Sequence, residues 1–164
     1  MRTAACLMIL LVFLLGATAG LAHTAEVPVE FTVVREKPPA DCGSGITGCA
    51  YSDRNNRGPA IFWGDDHQKT LEHEKGHLYD WFVLKNKQRS DFRDIFGKLE
   101  GRRWRNLPSE WFAEGYARCA IHMPTGKETA YGYDPTRRQH KEVCKLIWST
   151  EKEYRASVPE LFRI

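Results

Sequence analysis

Five consecutive residues, segment 73–77 (HEKGH), constrain the fold of this chain more than any other feature of its sequence. His73 and His77 are four positions apart, so they share one face of the chain only if the segment is an α-helix. Apolar residues recur around the motif at helical spacing and would form the buried side of that helix: Leu71, Leu78, Trp81 and Phe82. The pattern therefore predicts a helix over about residues 66–85.

The same segment has the residue types and spacing of a catalytic metal site. Imidazoles one helical turn apart can bind a single ion, and Glu74 follows the first of them. A glutamate there can take a proton from a metal-activated water without binding the metal itself. The motif predicts a Zn²⁺-dependent hydrolase of peptide bonds with Glu74 as general base. The alternative is a pair of surface histidines on a polar helix.

A catalytic zinc needs a third protein ligand. The extended pattern H-E-x-x-H-x-x-G-x-x-H is excluded, because Asp80 and Val83 stand where it requires glycine and histidine. Glu110 and Glu114 are four apart on a later predicted helix, so one can bind the metal while the other accepts a hydrogen bond from a ligand histidine. Asp80 shares the histidine face and is predicted to support a ligand or the fold, which is favoured over the alternative that it binds the ion.

The two segments together resemble the gluzincin zinc metallopeptidases, which carry H-E-x-x-H on one helix and a ligand glutamate on a later one. Segment 110–114 (EWFAE) is similar to the E-x-F-A-E segment of lethal-factor-like members. The resemblance, over residues 61–119, implies a small zincin-like domain with His73, His77 and Glu110 as zinc ligands and Glu114 supporting a histidine. Residues 114–117 (EGYA) also resemble a segment of aminopeptidase-type members, and in that register Glu114 is the ligand.

The N-terminus predicts export. A basic start is followed by an apolar run over residues 7–15 and then by small residues, which is typical of a secretory signal peptide. We expect the signal at residues 1–22, with cleavage between 19 and 25, and one domain over 26–164. The protein is accordingly predicted to be secreted and not to be stably inserted in a membrane; the alternative is an uncleaved anchor.

The cysteines agree with export. Of five cysteines, one lies in the predicted signal peptide, which leaves Cys42, Cys49, Cys119 and Cys144. An even count in an exported chain predicts two disulfides. Three pairings are possible; proximity along the chain favours Cys42 with Cys49 and Cys119 with Cys144. A cysteine metal site is disfavoured because no C-x-x-C pair is present.

Charge argues against a nucleic-acid partner. The formal net charge is +3, and the only local basic cluster, residues 101–105, is interpreted as a solvated loop. The predicted partner is a peptide or protein substrate, while the sequence does not set an oligomeric state. Two rival hypotheses are a secreted zinc-binding protein with a peptidase-like fold but little catalysis, and a disulfide-stabilised structural protein without metal.

Strands are predicted before helices, which gives an α+β class. Residues 27–34 and 60–63 are predicted strands, and the second is expected to be an edge strand to which an extended substrate can pair. Residues 37–48 and 50–58 are predicted loops or turns. Beyond the motif helix, further helices are expected at 90–99 with Ser90 as N-cap, at 109–121 and at 139–152.

An oxyanion that develops during hydrolysis needs a hydrogen-bond donor. The sequence offers several candidates without ranking them: Tyr116, Tyr131, Tyr133, His122 and His140. His67 is expected at the surface, near the start of the motif helix. Gly76 inside that helix predicts close packing against another element, because glycine otherwise weakens a helix by about 1 kcal/mol.

Overall fold

The computed structural model describes residues 26–27, 29–53, 58–126 and 130–158. The predicted signal peptide lies outside the described residues. Within the described part, a three-stranded sheet comes first and four α-helices follow, which confirms the α+β class. None of the helices described is both long and apolar enough to cross a bilayer.

The sheet has the spatial order β1-β3-β2. Strand β1 (Thr32–Val34) runs parallel to β3 (Gly58–Trp63), and β2 (Gly48–Asp53) runs antiparallel to β3. A short 3₁₀ turn (Ala40–Cys42) precedes β2. Among the described residues of the predicted strand at 27–34, only the last three pair, so the strand is shorter than expected.

Two predictions about the sheet are wrong. Residues 50–53 were expected in a turn, but they continue β2, because Ala50 and Tyr51 pair with the buried Ile61 and Ala60 of β3. Most of the polar residues on which the turn prediction depends come after Asp53, at positions 54–57. Residues 60–63 consequently form the middle strand, and β2 is the edge strand beside the motif helix.

The four helices exist where the sequence predicts them, with different ends. Helix α2 begins at Asn86, so Ser90 lies inside it and is not its N-cap; the Lys85 N–H instead donates to Gln88 Oε1 at 3.2 Å. Thr136 accepts a hydrogen bond from Gln139 N–H and starts α4 two residues early. The observed bounds are α1 (Gln68–Phe82), α2 (Asn86–Phe96), α3 (Leu107–Ala120) and α4 (Arg137–Ser157).

Helices α1 and α3 approach each other at a glycine. A Cβ added at Gly76 would lie 2.7 Å from Ala113 Cα and 3.1 Å from the Ala113 carbonyl oxygen. The predicted close packing of Gly76 is confirmed. This contact brings the histidine face of α1 against the face of α3 that carries Glu110 and Glu114.

Aromatic side chains fill the space behind these helices and hold them in place. Phe92 and Phe112 are fully buried, with ring centroids 5.4 Å apart, so they join α2 to α3. Tyr79 of α1 donates to the Ile147 carbonyl of α4 at 2.8 Å. The core therefore holds one side of α1 against the other helices. The side of α1 that carries His73 and His77 lines the cleft.

Both disulfides follow the pairing that proximity favoured. Cys42 bonds to Cys49 and ties the 3₁₀ turn to β2, and Cys119 bonds to Cys144 and joins α3 to α4. The first bridge therefore fixes the segment that precedes the edge strand. The second fixes the helix that carries the two candidate glutamates.

Candidate metal centre

Three side chains from two helices meet at one point. The Nε2 atoms of His73 and His77 lie 3.2 and 3.5 Å from the same Glu110 oxygen, Oε2. One ligand atom from each residue lies within 4.8 Å of the others, so the three form a candidate metal-binding group. The geometry arises because α1 places both imidazoles on one face and α3 crosses it at Gly76.

Glu114 contacts the other side of the first histidine. Its Oε2 lies 3.6 Å from His73 Nδ1, while its Oε1 accepts from Lys69 at 2.8 Å and from Arg118 at 3.0 Å. Glu114 is 1% exposed, and these cations balance its charge. The arrangement favours Glu110 as ligand and Glu114 as the acceptor that orients His73, since the two carboxylates face opposite ring nitrogens.

Electrostatics couple the acids to His73. Burial by itself would lower the pKa of His73, but hydrogen bonds to Glu110 and Glu114 raise it to about 9. Burial opposes ionisation of Glu110 and Glu114, yet the hydrogen bonds from His73, helped by His77 for Glu110 and Lys69 for Glu114, hold the pKa of each at about 2. The two acids therefore favour the protonated imidazolium of His73, with Nε2 facing Glu110 and Nδ1 facing Glu114.

The three candidate ligand atoms are of the types that bind zinc, an ion of intermediate softness. Two imidazole nitrogens and one carboxylate oxygen are a combination that zinc accepts, with an open position for water or substrate. All three residues line a cleft, so an ion bound there is accessible. A second group, Cys119, His140 and Cys144, is also within ligand distance, but its sulfurs form a disulfide and are not thiolates.

Glu74 lies beside this group and faces the same cleft. It is 7% exposed, and its Oε2 accepts from the Ala50 N–H of β2 at 2.7 Å. Burial raises the pKa of Glu74 despite the nearby histidines. The edge strand can come so close only because position 48 is glycine: a Cβ there would lie 2.5 Å from Thr70 Cγ2 and 2.8 Å from Glu74 Oε1.

The cleft is open and has a volume of about 940 Å³. Strand β2 forms one wall, α1 and α3 form the floor, and α2 with the following loop forms the opposite wall. Its lining residues include Gly48, Ala50, Ser52, His73, Glu74, His77, Asp80, Trp81, Arg89, Arg93, Trp104, Arg105, Glu110 and Tyr131.

Strand β2 presents main-chain groups to the cleft. Gly64 N–H donates to the Thr47 carbonyl at 2.9 Å, so the alternation of an antiparallel pair directs the main chain of Gly48, Ala50 and Ser52 away from β3. Pro59, which has no N–H, lies opposite Ser52 in agreement with this register. The Ala50 N–H that reaches Glu74 is one of these outward groups.

Asp80 has a structural role. Its carboxylate accepts from Arg89 Nε at 2.8 Å and from Trp104 Nε1 at 2.7 Å, and its carbonyl accepts a further hydrogen bond from Arg89. Of the two predicted roles for Asp80, support of the fold is the one the contacts match. It fixes α2 and the loop before α3 against α1.

Among the five candidate oxyanion donors, the structure places one in the cleft. Tyr131 lines it and stacks on His73 with ring centroids 5.4 Å apart. Trp111 Nε1 donates to the Tyr131 carbonyl at 2.9 Å and holds that segment in place. The other four are not among the cleft-lining residues: Tyr116, Tyr133, His122 and His140. His67 is exposed at the start of α1, as expected.

Several residues around the site were not anticipated. Arg118 follows Glu114 by four positions on α3, so the helical ion-pair spacing was a usable signal. Lys69 lies one helical turn before His73, and the only signal for it was its place on the histidine face of α1; its partner, Glu114, lies on α3. Arg93 and Trp104 on the opposite wall gave none, because only the fold brings them to the cleft.

A scan of protein-family models finds no match to this chain, and searches of curated proteins and of solved structures return none.

Proposed function

We propose that the protein is a secreted zinc metallopeptidase. The observation that carries the proposal is the convergence of His73, His77 and Glu110 at one point, with the buried carboxylate of Glu74 on the same cleft. The resemblance of segment 110–114 to the gluzincin sequence pattern supports the assignment of Glu110 as third ligand. Two disulfides support an oxidising, extracytoplasmic location.

Zinc bound by these ligands would supply Lewis-acid polarisation of the peptide carbonyl and make an attacking water acidic enough to lose its proton near neutral pH. Glu74 accepts that proton and returns it to the leaving amine. The raised pKa of Glu74, caused by burial, suits a group that must both take and give a proton. The Ala50 N–H orients one carboxylate oxygen and leaves the other for the water.

An extended peptide would pair with the edge strand β2. The outward main-chain groups of Gly48 and Ser52 and the Ala50 carbonyl offer hydrogen bonds to a substrate backbone without selecting a side chain, while the Ala50 N–H is held by Glu74. Such pairing would hold the scissile bond beside Glu74, which β2 itself contacts. This favours peptides in an extended conformation over folded loops or helices.

Tyr131 is our candidate for oxyanion stabilisation. Burial raises the pKa of its phenol, and the neighbouring Glu110 charge raises it further, so the hydroxyl stays protonated and can donate. The ring lies over His73 at the mouth of the site. A donor at this position would act on the carbonyl oxygen as negative charge develops there.

Replacing Glu74 tests the proposal. The Glu74→Gln variant should keep one zinc per chain and lose peptide hydrolysis by at least about 1000-fold, because Gln cannot accept the proton. Glu72→Gln is a matched control on the same helix; its side chain pairs with Gln68 and Lys75 outside the cleft. Zinc binding with no hydrolysis by the unaltered protein would instead support a non-catalytic binding protein.

A further inference from the structure

The wall opposite the edge strand carries three arginines: Arg89, Arg93 and Arg105. Arg89 is already satisfied, since its guanidinium donates to both the carboxylate and the carbonyl of Asp80 at 2.8 Å. Its charge is balanced and its position fixed. The remaining two differ from it in having no such partner.

Arg93 and Arg105 have no carboxylate within salt-bridge distance in the part of the chain that the structure describes. The guanidinium carbon of Arg93 lies 5.6 Å from the centroid of the Trp104 ring, which orients it. Its Nε is buried without a hydrogen-bond partner among the described residues, so any contact with a ligand in the cleft falls to the other guanidinium nitrogens. Arg105 follows Trp104 directly and is exposed to the cleft.

The acids of the cleft do not neutralise this pair. Three carboxylates line it, and each is engaged elsewhere: Glu74 with the Ala50 N–H, Asp80 with Arg89, and Glu110 with the two histidines. Two guanidinium groups without a contacting carboxylate among the described residues therefore remain on one wall. Guanidinium groups bind carboxylates through paired N–H donors, so such a wall selects for negative charge on a ligand.

We propose that Arg93 and Arg105, positioned around Trp104, form a subsite for a carboxylate of the peptide substrate. This inference rests on the proposed peptidase function and names its substrate class: acidic peptides. The carboxylate is either an Asp or Glu side chain or the C-terminus of the peptide, since both present the same planar pair of oxygens.

Matched peptides test the subsite in the zinc-loaded full chain. One set is amidated at the C-terminus and carries a single Glu, or Gln in its place, at successive positions around the scissile bond. A second set carries Gln with a free C-terminus. The unaltered protein should prefer one position of Glu over Gln, or the free C-terminus over the amide, by about 10-fold in kcat/KM. The set that shows the preference identifies the source of the carboxylate.

Arginine variants assign that preference to its residues. Arg93→Gln and Arg105→Gln should each reduce this ratio by about 5- to 10-fold, through a loss of kcat/KM for the carboxylate-bearing peptide. Arg103→Gln is the control, because Arg103 is exposed and does not line the cleft. The preference should also weaken at high salt. Hydrolysis without a carboxylate preference, or a preference that survives both changes, overturns the subsite.

Measurements of peptide binding distinguish failure of the proposed subsite from failure of the proposed peptidase activity. The same peptides are titrated into the Glu74→Gln variant, with and without Arg93→Gln, by fluorescence anisotropy. Carboxylate-dependent binding that needs Arg93, when the zinc-loaded unaltered protein hydrolyses none of the peptides, supports the subsite and refutes the peptidase. Hydrolysis with binding that is indifferent to Arg93 refutes the subsite and supports the peptidase.

Discussion

Gly76→Ala is expected to change the geometry of the metal ligands much more than the stability of the fold. One methyl group added at this position would lie 2.7 Å from Ala113 Cα and 3.1 Å from both the Ala113 carbonyl oxygen and Tyr116 Cβ. The nearest of these atoms belongs to the main chain, so no rotamer change can relieve the contact. Helix α1 must instead move away from α3, which carries Glu110.

The size of the movement follows from the contact. Ordinary van der Waals contact begins at 3.4 Å, so the helices must separate locally by about 3.4 − 2.7 = 0.7 Å. Replacing glycine in a helix gains about 1 kcal/mol, and overpacking costs about 1–3 kcal/mol, so the net loss of stability is about 0–2 kcal/mol. Metal ligands tolerate only about 0.2 Å of displacement, so we expect zinc affinity to fall at least about 10-fold.

Two assays measure these effects. Competition with a chromophoric chelator gives the zinc dissociation constant, and thermal unfolding of the metal-free variant gives its stability. Lys75→Ala, at the neighbouring half-buried position, is the control and should bind zinc like the unaltered protein. A Gly76→Ala protein that binds zinc with unchanged affinity would refute the claim that this helix contact sets the ligand geometry.

Three further predictions concern the site itself. Glu110→Gln should lower zinc affinity by more than about 100-fold and Glu114→Gln by about 10- to 100-fold, as measured by chelator competition; a larger loss for Glu114 would make it the ligand. Zinc binding at pH 7.5 should release about one proton from His73, because its pKa of about 9 keeps it protonated without metal, and this release should vanish as the pH rises through 9; calorimetry in buffers of different ionisation enthalpy measures it. Tyr131→Phe should lower kcat about 10- to 100-fold with zinc content unchanged; an unaffected kcat would remove Tyr131 from the reaction.

Most of the site could be predicted from sequence because its residues form pairs at helical spacing, each pair on one helix. His73 and His77 needed only the helical period, and the acids at 110 and 114 needed only the same period on a later helix. The choice between the two acids was open from sequence, since both lie on one helical face. Only the crossing at Gly76 directs Glu110 to the Nε2 atoms and Glu114 to Nδ1.

Features that depend on distant pairing were missed or misplaced. Strand β2 has Ser52 and Asp53 in its second half, so its local sequence favours a turn, and pairing with the buried β3 overrides that preference. Four of the five residues in the basic segment 101–105 are exposed, in agreement with the predicted solvated loop, but the sequence gives no sign that Trp104 and Arg105 line the cleft. They do so because Trp104 donates to Asp80 across 24 positions of sequence, which no local pattern reveals.

The ligand atoms of bound zinc test the central claim most directly. X-ray absorption at the zinc edge of the metal-loaded full chain should show only nitrogen and oxygen neighbours at about 2.0–2.2 Å, with the outer scattering of two imidazoles. Sulfur at about 2.3 Å would require a reduced cysteine as ligand, as in the group of Cys119, His140 and Cys144, and would contradict the account. Failure of the chain to retain any zinc would contradict it as well.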